Sequence, residues 1–188
     1  MFIESIQRHV AVCAQLDLPK IAKLDPNFWN VISIREPARP PIDPSGFKRI
    51  HKVICYDTNC QDKQYFEGAT GIPRREHLEG IFDFADSIEG EPILVHCWAG
   101  VSRSAAVALC LIARGMHKDD FSLLEIQGEA PEILLAIRPK AAPNPLLLEL
   151  GLAGFLPAQQ AHELMVAWVN HPVLFRNRMG GEASPAGE

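Results

Sequence analysis

Of the five cysteines in the chain, only Cys97 is followed six residues later by an arginine, Arg103. The two bracket the stretch His96-Cys97-Trp98-Ala99-Gly100-Val101-Ser102-Arg103-Ser104. A thiolate is a strong nucleophile, and a guanidinium offers a planar fork to two oxygens of a tetrahedral anion. The apolar run Pro92-Ile93-Leu94-Val95 precedes the stretch, and a long apolar segment, Ala105 to Ala113, follows it. That setting reads as strand, tight loop, helix. A helix N-terminus presents free backbone N–H groups and the positive end of its dipole. The backbone of Trp98, Ala99, Gly100, Val101, Ser102 and Arg103, wrapped into a concavity, is thus a phosphate-binding cradle. The same field favours the thiolate form of Cys97. Gly100 lets the backbone come close and take dihedrals that other residues avoid. The chemistry this suits is displacement at phosphorus through a covalent phosphocysteine.

Cys-x5-Arg alone is a weak signal. Requiring His before the cysteine, Gly at the third position after it and Ser after the arginine brings a chance match to on the order of one in ten thousand or less. The stretch resembles the signature loop of the cysteine-dependent protein tyrosine phosphatase superfamily. Its Ser-Arg-Ser ending is more similar to the dual-specificity branch than to the large tyrosine-specific domains. The resemblance runs from about Val31 to Glu149 and is sharp only in the loop. It implies that the Ser104 hydroxyl stabilises Cys97 as a leaving thiolate. It also implies a general acid, an aspartate on a loop upstream of the nucleophile, and no metal or other cofactor. Asp57 ends a strand and is followed by Thr58, a pairing familiar in that branch; Asp62 is the alternative. Asp57 is preferred because a strand terminus positions a group better than a flexible loop. A Pro-Asn turn after an Arg-Pro pair, here ending at Asn144, is also found near the C-terminal helix of the phosphatases it resembles.

Each of these residues has a blander reading. Cys97 would otherwise be a core cysteine, Arg103 a surface arginine and Ser104 a helix cap. His96 follows the alternation of a strand, so its side chain points away from that of Cys97. It is expected to fix the loop by hydrogen bonding rather than act as a base. Cys55 and Cys60 form C-x4-C, but no second pair follows to complete a zinc site, so no metal site is expected.

The elements that must position the loop follow the chain. Residues 2–6 have weak strand character. Val10, Cys13 and Leu16 recur at helical spacing, which predicts a short helix over 7–16, and a second short helix covers 19–23. Strands are expected at 29–34, 49–56 and 92–96. Four prolines within residues 36–46 make a loop, and 59–73 is irregular. Residues 75–88 are an amphipathic helix with Leu78, Ile81, Phe82, Phe84, Ala85 and Ile88 on its buried stripe. A buried central helix starts at Ser102 and ends at Gly115. Asp119, Asp120 or Ser122 caps the next helical segment, 131–137 forms another, and Asn144 caps a helix over 145–152. One further helix is expected at 159–170.

The predicted fold class is α/β: a central, mostly parallel sheet flanked by helices, with the site at the carboxyl end of a strand. Residues 1–157 would form the phosphatase domain, 158–178 a helical extension and 179–188 a disordered tail. A formal charge of −5 with no basic block excludes a nucleic-acid partner. No apolar run approaches the ~18 residues of a membrane span. The odd cysteine count and irregular spacing do not make a disulfide framework, so a reducing, cytoplasmic location is expected. The function expected is phosphomonoester hydrolysis on phosphotyrosine, phosphoserine or phosphothreonine proteins. The alternatives are a small metabolite or lipid headgroup as substrate, a phosphate-dependent binding module without catalysis, or a sulfurtransferase.

Overall fold

The computed structural model describes residues 1–59 and 71–180; Cys60, Asp62 and tail residues 181–188 lie outside the described residues. The strands β1 (Phe2–Ile3), β2 (Arg8–Ala14), β3 (Asn30–Arg35), β4 (Arg49–Ile54) and β5 (Ile93–Cys97) form one sheet in the order β1-β2-β5-β3-β4. Among the described residues, only the β1–β2 pair is antiparallel. The class is α/β, as the alternation of elements implies.

β5 lies between β2 and β3 and is buried on both faces. Ile93, Val95 and Cys97 face the larger core. Helices α2 (Arg75–Ser87), α3 (Arg103–Lys118) and α4 (Leu123–Ile137) pack on that face, and α5 (Pro145–Leu152) packs against α2 and α3. Leu94 faces the other way, into a smaller core with Val31, Trp29, Phe47 and Leu18 of α1 (Leu18–Leu24).

The structure corrects several local expectations. Residues 8–14 are β2, not a helix. Val10 and Val12 join the larger core, while Ala11 and Cys13 meet the smaller one. A strand buried on both faces carries apolar residues on both, so it shows no period of two. The helical spacing was coincidental, and Leu16 is exposed.

Gly115 does not stop α3, which runs on to Lys118. A Cβ at Gly115 would lie 2.4 Å from Cγ2 of Ile6, so this glycine serves close packing of the 3-10 turn at Glu4–Ile6. The left-handed residue after the helix is Asp120, with φ +63°.

Ser122 caps α4, and Glu125 completes the capping box. The helix then passes through Pro131 without ending, rather than starting there. A proline leaves the carbonyl four residues earlier without its partner. That carbonyl, Gln127 O, accepts instead from the Trp168 indole N–H at 3.1 Å.

Trp168 belongs to α6 (Ala158–Val169), which is followed by α7 (Pro172–Arg178), a second helix within the stretch 158–178. Leu164, Trp168 and Leu174 are buried in the larger core.

Candidate active site

The carboxyl ends of three parallel strands converge. β3 leads into Glu36, β4 into Asp57, and β5 ends on Cys97 itself. Strand ends of this kind are where open α/β sheets place their ligands. The loop from Trp98 to Ser102 then turns directly into α3, whose first residues are Arg103 and Ser104.

Gly100 makes the turn possible for two reasons. Its φ is +69°, and a Cβ there would stand 2.4 Å from the backbone carbon of Cys13 on β2. The loop's outward carbonyls are each held. Trp98 O accepts from Gln15 N at 3.2 Å, and Val101 O from Ala142 N at 2.9 Å. Arg138 donates from Nε to Gly100 O (2.9 Å) and from Nη2 to Ala99 O (3.1 Å). Carbonyls drawn outward leave the opposite ends of the peptide units, the N–H groups, for the concave side.

Cys97 is buried, with its Sγ 3.1 Å from the Ser104 hydroxyl. Arg103 is 2% exposed, and three acidic or carbonyl groups surround it. Nη1 donates to Cys55 O at 2.8 Å, Nη2 to Glu36 Oε1 at 3.2 Å, and Nε lies 3.6 Å from Asp57 Oδ2. Nε has no hydrogen-bond acceptor among the described residues.

Asp57 stands at the mouth. Its Oδ1 accepts from Ser102 Oγ at 2.7 Å and from Asn144 Nδ2 at 2.8 Å. Asn144 has two tasks. Its Oδ1 accepts from Leu147 N, capping α5, while Nδ2 also donates to Thr58 O at 2.6 Å.

The structure therefore brings together Cys97, Arg103, Ser104, the 98–103 backbone, Asp57 and Asn144. His96 is fully buried with its ring beside the Cys97 backbone, and among the described residues neither ring nitrogen makes an ordinary hydrogen bond of the kind expected of it. Burial, helped by the Arg103 charge, pushes its pKa down to about 4. It supports the loop as a neutral, space-filling ring.

Three contributors escaped the sequence reading: Glu36, Arg138 and Arg39. Arg39 lays its guanidinium 3.9 Å above the Trp98 ring at the rim. The signal for Glu36 was its place at the carboxyl end of a strand, and for Arg138 the Arg-Pro pair ahead of Asn144. Burial pushes the thiols of Cys13, Cys55 and Cys110 each up to about 12, which keeps them protonated at neutral pH.

No protein-family model and no curated protein sequence matches the chain. Solved structures do. Human DUSP28 aligns with a TM-score of 0.53 and 19% identity, over 89% of this chain and 92% of that one. A glycine-to-alanine mutant form of Tk-PTP gives 0.51 at 21% identity, over 78% and 89%. The chain has the fold of the cysteine-dependent tyrosine phosphatases. PTPMT1 in complex with PI(5)P, at 0.50 and 22% identity over 84% and 93%, is a further example of this phosphatase fold. Among the described residues, no helix of this phosphatase-fold chain is long and apolar enough to cross a membrane.

Proposed function

We propose that the chain hydrolyses phosphomonoesters through a phosphocysteine. The observation that carries this reading is the seating of Cys97 at the N-terminus of α3, with Ser104 Oγ 3.1 Å from its sulfur and the Arg103 guanidinium fixed alongside.

The Cys97 thiolate attacks phosphorus, an S–P bond forms, and the ester P–O bond breaks. The 98–103 N–H groups and Arg103 hold the equatorial oxygens, most strongly in the transition state. Asp57 gives its proton to the departing oxygen. Its Oδ1 already accepts two hydrogen bonds, so Oδ2 is the oxygen that carries the proton. Asp57 then takes a proton from water as that water attacks phosphorus. The S–P bond breaks, and Ser104 donates to the leaving thiolate. No step is routed through a metal or other cofactor.

Phosphotyrosine, phosphoserine or phosphothreonine in proteins is the substrate class we favour, in a cytoplasmic setting that keeps Cys97 reduced. Loop positions Trp98, Ala99, Val101 and Ser102 add no positive charge for a polyphosphorylated headgroup.

The test is turnover in the presence of a chelator, across phosphotyrosine and phosphothreonine peptides, phosphoinositides and nucleotides. Phosphopeptides should be hydrolysed best. Cys97→Ser should abolish turnover and the trapped phosphoenzyme while vanadate still binds, since the cradle and Arg103 are unchanged. Normal turnover by the serine variant rules the mechanism out.

A further inference from the structure

A cavity of about 770 Å³ opens beside the loop, on the side of Asp57. Asp57, Ser102 and Asn144 form one wall; Met165, Val166 and Val169 of α6 face them. Neither Cys97 nor Arg103 lines it. The far wall is held in place. Arg178 donates to Val169 O (3.1 Å) and Pro143 O (3.0 Å), while Asn177 donates to Pro139 O and Ala141 O, both at 2.9 Å. These bonds tie α6 and α7 to the segment that leads into Asn144, so the two walls are held in place relative to each other. Val166 and the rim residue Met179 stay 40% and 69% exposed.

The position of this space follows from the reaction. In an in-line displacement the leaving oxygen departs opposite the attacking sulfur, toward the group that protonates it. The organic body of the leaving group thus stands on the Asp57 side, against the cavity. We infer that the cavity is a leaving-group subsite selecting phosphomonoesters whose alcohol or phenol carries a bulky apolar group. The inference rests on the phosphatase reading above. Apolar walls release water when such a group enters, and a small alcohol leaves them wet.

Phenyl phosphate and 4-biphenylyl phosphate test this, because their leaving groups have nearly the same acidity and the chemical step is matched. With the full chain, kcat/KM should be about tenfold or more higher for the biphenylyl ester. Val166→Trp and, separately, Met179→Trp should bring that ratio toward one. Leu124→Trp, on an exposed position of α4, should leave the ratio at the parent value. Equal kcat/KM for the two esters in the parent, or a preference that survives both tryptophans, overturns the subsite. Hydrolysis of neither ester instead overturns the phosphatase reading beneath it, so the two failures are told apart.

Discussion

α3 carries an arginine paired to carboxylates near each end, and the two pairs are built differently. Toward the C-terminus, Arg114 grips Asp86 with both nitrogens, at 2.7 and 2.8 Å, and Lys118 adds a third contact at 2.8 Å. The cluster is partly open to water; the Asp86 side chain is 44% exposed. Hydrogen bonds from Arg114 first, then Lys118, hold the Asp86 carboxyl well below the usual carboxylate range. At the N-terminus, Arg103 is buried yet grips nothing bidentately. Its donors are divided among Cys55 O, Glu36 and the more distant Asp57. A closed fork satisfies both partners and is finished as a structure. A buried guanidinium whose contacts are split, with Nε lacking an acceptor among the described residues, is oriented but not saturated. That difference fits the proposal that the N-terminal end of the helix meets the anion.

The same substitution at the two ends sharpens the contrast. Asp57→Asn should slow hydrolysis of phenyl and alkyl phosphates about 10²–10⁴-fold and nitrophenyl phosphate far less, because a nitrophenoxide leaves without a proton. Asp86→Asn should leave both rates intact and cost about 1 kcal/mol of stability or less, as expected of an exposed cluster. Rates across a leaving-group series, with urea unfolding alongside, give both numbers. If Asp57→Asn slows all esters equally, Asp57 positions Arg103 rather than donating a proton.

Charge-conserving changes should also separate the ends. Arg103→Lys keeps the charge and removes the planar fork, so kcat should fall about 10²–10³-fold with a smaller change in KM. Arg114→Lys should leave the kinetics unchanged. A defect of Arg103→Lys confined to KM means that the arginine only gathers substrate.

A further contrast lies in how stability depends on pH. His96 is protonated in the unfolded chain below its ordinary value of 6.5, but in the folded protein only below about 4. The unfolded state therefore binds the extra proton in that window, and stability falls as the pH drops from 6.5 to 4, by about 3 kcal/mol. His96→Asn should remove this part of the acid dependence. Asp86 also loses its contribution on acidification, but only below its ordinary value of 3.8, so the windows separate in urea midpoints taken at successive pH values. An unchanged acid dependence in His96→Asn would show that the ring is not held neutral.

The proposed nucleophile, cradle and arginine were legible because they are local. Nine consecutive residues form strand, loop and helix N-terminus, and the dipole, the N–H groups and the thiol come together whatever the rest of the chain does. α2 was legible for a similar reason. One face is wet and one dry, so its sequence is periodic. The sequence also carried Asp57 and Asn144 as candidates, though not the hydrogen bond between them, which joins residues 87 positions apart.

Tertiary structure decided the rest. β2 is buried on both faces, which erases the period that would have named it a strand. Gly115 looked like a stop signal because its sequence neighbours say nothing of Ile6, whose side chain needs the space. Pro131 stays inside a helix because an indole from α6 takes over the freed carbonyl. Glu36 and Arg138 reach the loop only because parallel strands end together and the chain returns across them from far away in sequence. The cavity on the Asp57 side exists only where α6 and α7 pack. Chemistry within one turn of chain is set by local geometry. Orientation of the arginine, support of the loop and the shape beside the acid depend on contacts between distant segments, which no local pattern encodes.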